Sequence, residues 1–148
     1  MSKKKKTVQS NKPQRKKTGI EKNPNSYLHE RPKWRFCNCD KERWSLSACK
    51  NIYQDIICKL QNFETMTWAD INSSNGGRTH GSNNHWIDIT KLIPEAQHRL
   101  KELHLYEDSQ HIYSLRLSGK ERLFGMIEEG VFYIIWYDQN HEICPCVK

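Results

Sequence analysis

Two arginines six residues apart, Arg116 and Arg122, flank a turn in the stretch "SLRLSGKERLFG". Each guanidinium is a planar, permanently charged fork suited to a phosphate. Whether the two act together depends on register. With a three-residue loop at Ser118 to Lys120, Leu117 faces Glu121 and Arg116 faces Arg122, so both side chains leave one face of the hairpin. A two-residue loop at Ser118 and Gly119 instead sets Arg116 against Glu121 and sends Arg122 to the other face. Like charges directly opposite each other are destabilising unless an anion or a carboxylate lies between them. The alternative is that each arginine pairs with a neighbouring carboxylate, for which Glu121, Glu128, Glu129 and Asp138 are at hand.

Two further groups carry chemistry. His80 and His85, with Arg78, fall in "NSSNGGRTHGSNNH" (residues 72–85), a loop by composition from which they could reach a substrate; the alternative is a polar loop without chemistry. The chain has six cysteines, which without an export signal read as thiols or metal ligands before disulfides. "CNC" at Cys37 and Cys39 and "CPC" at Cys144 and Cys146 bracket the folded region. Pairing of the first and last segments would join them in a four-thiolate structural zinc clip, although C-x-C is tighter than the usual C-x2-C. Cys49 and Cys58 fall on a predicted helix as small buried hydrophobes.

The elements that must position these groups occupy one domain. A chain of 148 residues accommodates a domain of ordinary size plus a tail. No run of about eighteen apolar residues occurs, and no apolar run follows the N-terminal lysines, so neither a transmembrane helix nor a secretory signal is expected. That points to a cytoplasmic protein without a membrane partner. The net charge of +7 divides into +10 for residues 1–35 and −3 for residues 36–148. Residues 1–33 lack a core-forming pattern and are expected to be a disordered basic tail, either an arm that holds phosphates loosely or a solubilising leader. Residues 34–148 then form the domain.

Within the domain a first strand is expected around Arg43 to Leu46. Ser47 is placed as the N-cap of a helix whose buried stripe is Ile52, Tyr53, Ile56, Ile57, Leu60 and Phe63. "TWAD" at Thr67 to Asp70 has the form of a capping box. "WIDIT" alternates like a short strand, and Pro94 falls near the first turn of a second helix with Ile93, Ala96, Leu100 and Leu103 on its buried side. "IYSLRL", "ERLFGMIE" and "VFYIIWYD", separated by "SGK" and "EG", read as a three-stranded antiparallel meander. The expected class is therefore α+β.

This order of elements, with its "SLRLSGKERLFG" hairpin, resembles the RelE/ParE superfamily of bacterial toxins over roughly Arg43 to His141. The resemblance implies a toxin held by an antitoxin protein and, for the RelE branch, endoribonuclease cleavage of messenger RNA, on the ribosome or off it, with no cofactor for catalysis. Arg116, Lys120 and Arg122 match the basic positions of the family's central strands, and His141 lies where several members carry a His or Tyr. Cleavage of this kind needs a base for the 2′-OH, cations around the phosphorus and an acid for the leaving oxygen. His141 is assigned to proton transfer, Arg116 and Arg122 to the phosphate, and Lys120, Arg78, His80 and His85 to RNA binding. "DQNHE" also has a plain reading as a turn that follows a strand. A non-catalytic module that binds nucleic acid or protein through the same basic hairpin is the competing function.

Overall fold

The computed structural model describes residues 26–74, 83–107 and 109–145. These residues form a mixed α+β fold around one five-stranded sheet. In chain order its elements are β1 (Lys33–Arg35), a π-helical turn (Tyr53–Ile57) running into α1 (Cys58–Phe63), α2 (Trp68–Ser73), β2 (His85–Asp88), α3 (Pro94–Glu102), β3 (His111–Arg116), β4 (Arg122–Glu128) and β5 (Val131–Asp138). The spatial order is β1-β5-β4-β3-β2, with β1 parallel to β5 and every other pair antiparallel.

The meander forms as its β-branched and aromatic composition requires. Its second turn places Glu129 at φ 50° and Gly130 at φ 83°, the two positive values of a tight hairpin turn whose twist matches that of the strands. A bulge between Phe124 and Gly125 leaves Ile135 as an extra residue on β5, so Ile135 and Trp136 both enter the same apolar layer. An added Cβ at Gly125 would collide with the Tyr133 carbonyl and touch the Phe132 ring, which is why this strand position takes glycine.

Both faces of the sheet are covered. On one, Tyr113, Leu115, Leu123, Phe132 and Ile134 pack with Ile56, Leu60, Trp68 and Ile71 of the α1 and α2 layer. On the other, Ile112, Phe124, Ile135 and Trp136 pack with Ala96 and Leu100 of α3 and with Trp44 and Ile143. Thr67 and Asp70 form the capping box of α2, and Pro94 opens α3.

Several local expectations are corrected. The first strand is Lys33–Arg35, not Arg43 to Leu46. There, the Asp40 carboxylate captures the Glu42 and Arg43 amides, Trp44 turns left-handed at φ 47°, and Ser45 caps a 3-10 turn at Leu46–Ala48. Ser47 is therefore no helix N-cap; Asn51 Oδ1 accepts from the Gln54 amide at the head of the π turn instead. The wider π winding leaves Ile52 and Tyr53 exposed while Ile56 and Leu60 stay buried. Finally, the packed chain begins within the expected tail: Ser26–His29 is a 3-10 helix, and Tyr27 meets Trp68 edge-on. Residues 1–25 lie outside the described residues.

Candidate functional site

The hairpin settles its register at the loop. The Leu117 amide donates to the Glu121 carbonyl at 3.0 Å, and Arg116 faces Arg122 directly, so the three-residue loop is the one formed. Asp138 on β5 faces Arg122 from the other side. Residues opposite each other in a ladder share a face. Arg116, Arg122 and Asp138 thus form a row across three strands, at the end of the sheet beyond the α3 core. Ser114 faces both Phe124 and His85, which carries the exposed His85 onto the same face.

Each arginine is anchored by neutral oxygen. Arg116 Nη1 donates to Asn83 Oδ1 at 2.8 Å, and its backbone amide donates to Asn84 Oδ1 at 2.7 Å. Asn84 is itself buried, and its Nδ2 donates to the Ile71 carbonyl. Arg122 Nη1 lies within 3.0 Å of the Ser118, Gly119 and Glu121 carbonyls and so clamps the turn beside it. Both arginines are half-buried rather than fully exposed.

His141 comes to this row through Asp138. The fully buried Asp138 carboxylate accepts the Asn140, Glu142 and Ile143 amides at 3.3, 3.1 and 2.9 Å, which folds the chain back after β5. His141 occupies the left-handed position of that turn, at φ 57°. Its imidazole lies within the field of both arginines. Burial pushes its pKa below the ordinary 6.5, the Arg122 charge adds to this, Asp138 opposes it, and Arg116 adds a smaller push. A histidine held neutral at pH 7 in the field of two fixed cations is able to accept a proton.

Of the other expected residues, Lys120 stands exposed on the loop between the two arginines. Arg78 and His80 lie outside the described residues. Cys39 packs against the α1 and α2 layer with its Sγ donating to the Ile134 carbonyl at 3.3 Å, whereas Cys144 packs against the α3 layer near the Lys91 carbonyl. Cys37 is exposed beside Asn38, and burial together with Cys37 raises the Cys39 thiol to about 11. The structure thus does not bring Cys144 to Cys37 and Cys39, and among the described residues no three His, Cys, Asp or Glu side chains gather as a metal site. Cys146 lies outside the described residues.

The residues that sequence reading passed over are Asn83 and Asn84. The signal was present, since two asparagines stand immediately before the β2 strand, but only folding shows that both reach Arg116. Beside them lies an open cleft of about 360 Å³ whose lining includes Phe63, Met66, Ser74, Asn83, Arg116 and Leu117. No helix among the described residues is long and apolar enough to cross a membrane. No protein-family model matches the chain, and no curated protein or solved structure matches it significantly.

Proposed function

We propose that the protein is an endoribonuclease of the RelE/ParE toxin type that cleaves messenger RNA without a catalytic metal and is held in check by an antitoxin protein. The observation that carries this reading is the row of Arg116 and Arg122 with a neutral His141 in its field. In the reaction His141 takes the 2′-OH proton, the 2′-oxygen bonds to phosphorus, and the bond from phosphorus to the 5′-oxygen breaks as that oxygen takes up a proton from water. Charge gathers on the phosphorane oxygens, where two guanidiniums stabilise it. Lys120 on the loop adds a further positive charge, and the exposed His85 stands on the same face as a hydrogen-bonding group for the flanking RNA.

One observation favours a second reading. Arg122 Nη1 already holds three turn carbonyls, which suits a rigid basic hairpin that binds nucleic acid or a protein partner without chemistry. Expression in bacteria and incubation of purified protein with RNA, alone and with translating ribosomes, separate the two. Growth arrest and cleavage that vanish in His141→Ala support the ribonuclease; binding without cleavage in the unaltered protein leaves the binding module.

A further inference from the structure

We infer that a second open cleft, at the end of the sheet away from the arginine row, takes the cationic side chain of Lys22 from the chain's own basic N-terminal segment. This is independent of the ribonuclease reading. The cleft measures about 520 Å³, and Trp86, Leu105, Met126, Ile127 and Tyr133 give it two aromatic rings and an aliphatic wall. Glu128 is the one charged side chain among its described lining residues. That carboxylate is exposed, and no ion pair among the described residues reaches it. Because β4 runs from Arg122 to Glu128, the cleft's rim and the arginine row stand about 20 Å apart.

The lining matches one chemistry. An anion would meet the Glu128 charge unfavourably, whereas a lysine suits each part of the cleft: its methylene stem covers apolar surface, and its ammonium is attracted by the aromatic rings and by the carboxylate. Part of this wall is fixed in advance. The Trp86 ring is held edge-on against the Tyr113 ring, with centroids 5.3 Å apart.

Charge, chain length and exit point name the occupant. Residues 1–25 carry nine Lys and Arg against one acid, and they join the described fold at Ser26. The next residue, Tyr27, packs at the β4–β5 turn, where a Cβ on Gly130 would stand 3.5 Å from the Tyr27 Cβ. Glu128 is two residues from Gly130 in the same turn. Lys22 is the first cation upstream of Ser26, and four residues of extended chain span up to ~14 Å, enough to carry it round the turn to the cleft. Each contact is weak on its own. A tether this short presents the ammonium at an effective concentration on the order of millimolar, so weak contacts suffice.

The full-length protein tests this through trypsin, which cuts after Lys22 and after Lys6. Glu128→Gln removes the carboxylate charge at nearly constant shape, so it should speed the cut after Lys22 about fivefold and leave the cut after Lys6 unchanged. By NMR, Lys22→Gln should move the Trp86 indole N–H and the Leu105 amide, and butylammonium titrated into that variant should move them back. Equal cutting after Lys22 in Glu128→Gln and the unaltered protein, or no shift at Trp86 in Lys22→Gln, would overturn the proposal. Butylammonium that shifts Trp86 when Lys22→Gln does not would leave a cleft for a free amine and overturn the tail as its occupant. Protection of Lys22 that fades on dilution would place a second copy's tail there and overturn docking within one chain. RNA cleavage enters none of these readouts, so loss of the ribonuclease reading would leave this one standing.

Discussion

Two ends of the α3 face of the sheet carry a buried aspartate near an arginine, and they treat charge in opposite ways. At the first, Arg99 on α3 grips Asp40 through two bonds of 3.0 and 2.7 Å, and the Trp136 indole and the Glu42 and Arg43 amides complete the carboxylate. Burial alone would raise Asp40, but these bonds hold it below its ordinary value. At the second, Asp138 is satisfied by three backbone amides, and the two arginines of its row face each other. The first end is closed, with opposite charges in contact. The second sets two arginines opposite each other on adjacent strands, with Asp138 facing Arg122 from β5 and His141 in the field of all three. The two ends thus differ in how the aspartate is completed, by a guanidinium at Asp40 and by backbone amides at Asp138.

The largest effect should come from opening the closed end. Arg99→Ala leaves Asp40 buried without its cation and should cost about 4 kcal/mol in denaturant unfolding, while RNA binding by the folded fraction is kept. A cost below about 1 kcal/mol would show that the three remaining hydrogen bonds suffice. Gly125→Ala comes next and strikes both ends, because Trp136 and Asp138 follow the same bulge. Its Cβ has no room, so a loss of about 3 kcal/mol is expected together with loss of site activity.

His141→Gly sharpens the contrast from the other side. Glycine relieves the left-handed backbone at φ 57°, so the variant should be as stable as the original or more stable by up to about 1 kcal/mol, while cleavage falls about 100-fold or more. Activity that survives in this variant moves proton transfer to another residue. Arg122→Ala should do less harm to the fold than Arg99→Ala, about 1.5 kcal/mol, since the carbonyls it uncovers stand at a turn open to water.

The smallest effects are in pH. His141 binds its proton at lower pH in the folded chain than in the unfolded one. Stability should therefore decline as pH falls through the ordinary value of 6.5 and level off below the folded value, a component absent from His141→Gly. Asp40 works in a lower window. Its folded value lies below 3.8, so its contribution is complete above that pH and is lost as pH falls through the folded value. Unfolding curves of His141→Gly and Arg99→Ala between about pH 2 and 8 would check that the windows belong to separate ends, on the reference values of about 3.9 and 6.5 for free side chains.

Periodicity and turn chemistry made the meander, the capping box at Thr67 and Asp70 and the helix at Pro94 legible in the sequence, because each is decided by residues within a few positions of one another. The arginine pair was legible as two alternatives, since one residue of loop length inverts a face and composition does not choose between them. The misplaced first strand shows the opposite case. Aromatic residues around Arg43 to Leu46 suggest extension, but a buried aspartate held from α3, 59 positions away, turns the chain. Likewise Asn83 and Asn84 are ordinary loop residues until β3 arrives beside them, and Asp138 is an ordinary turn residue until its carboxylate gathers three amides. The sequence by itself determined the α+β class, the hairpins and which residues carry charge. Tertiary structure alone decided which charges meet and which face one another, because pair distance and burial set an electrostatic energy and neither is a property of local sequence.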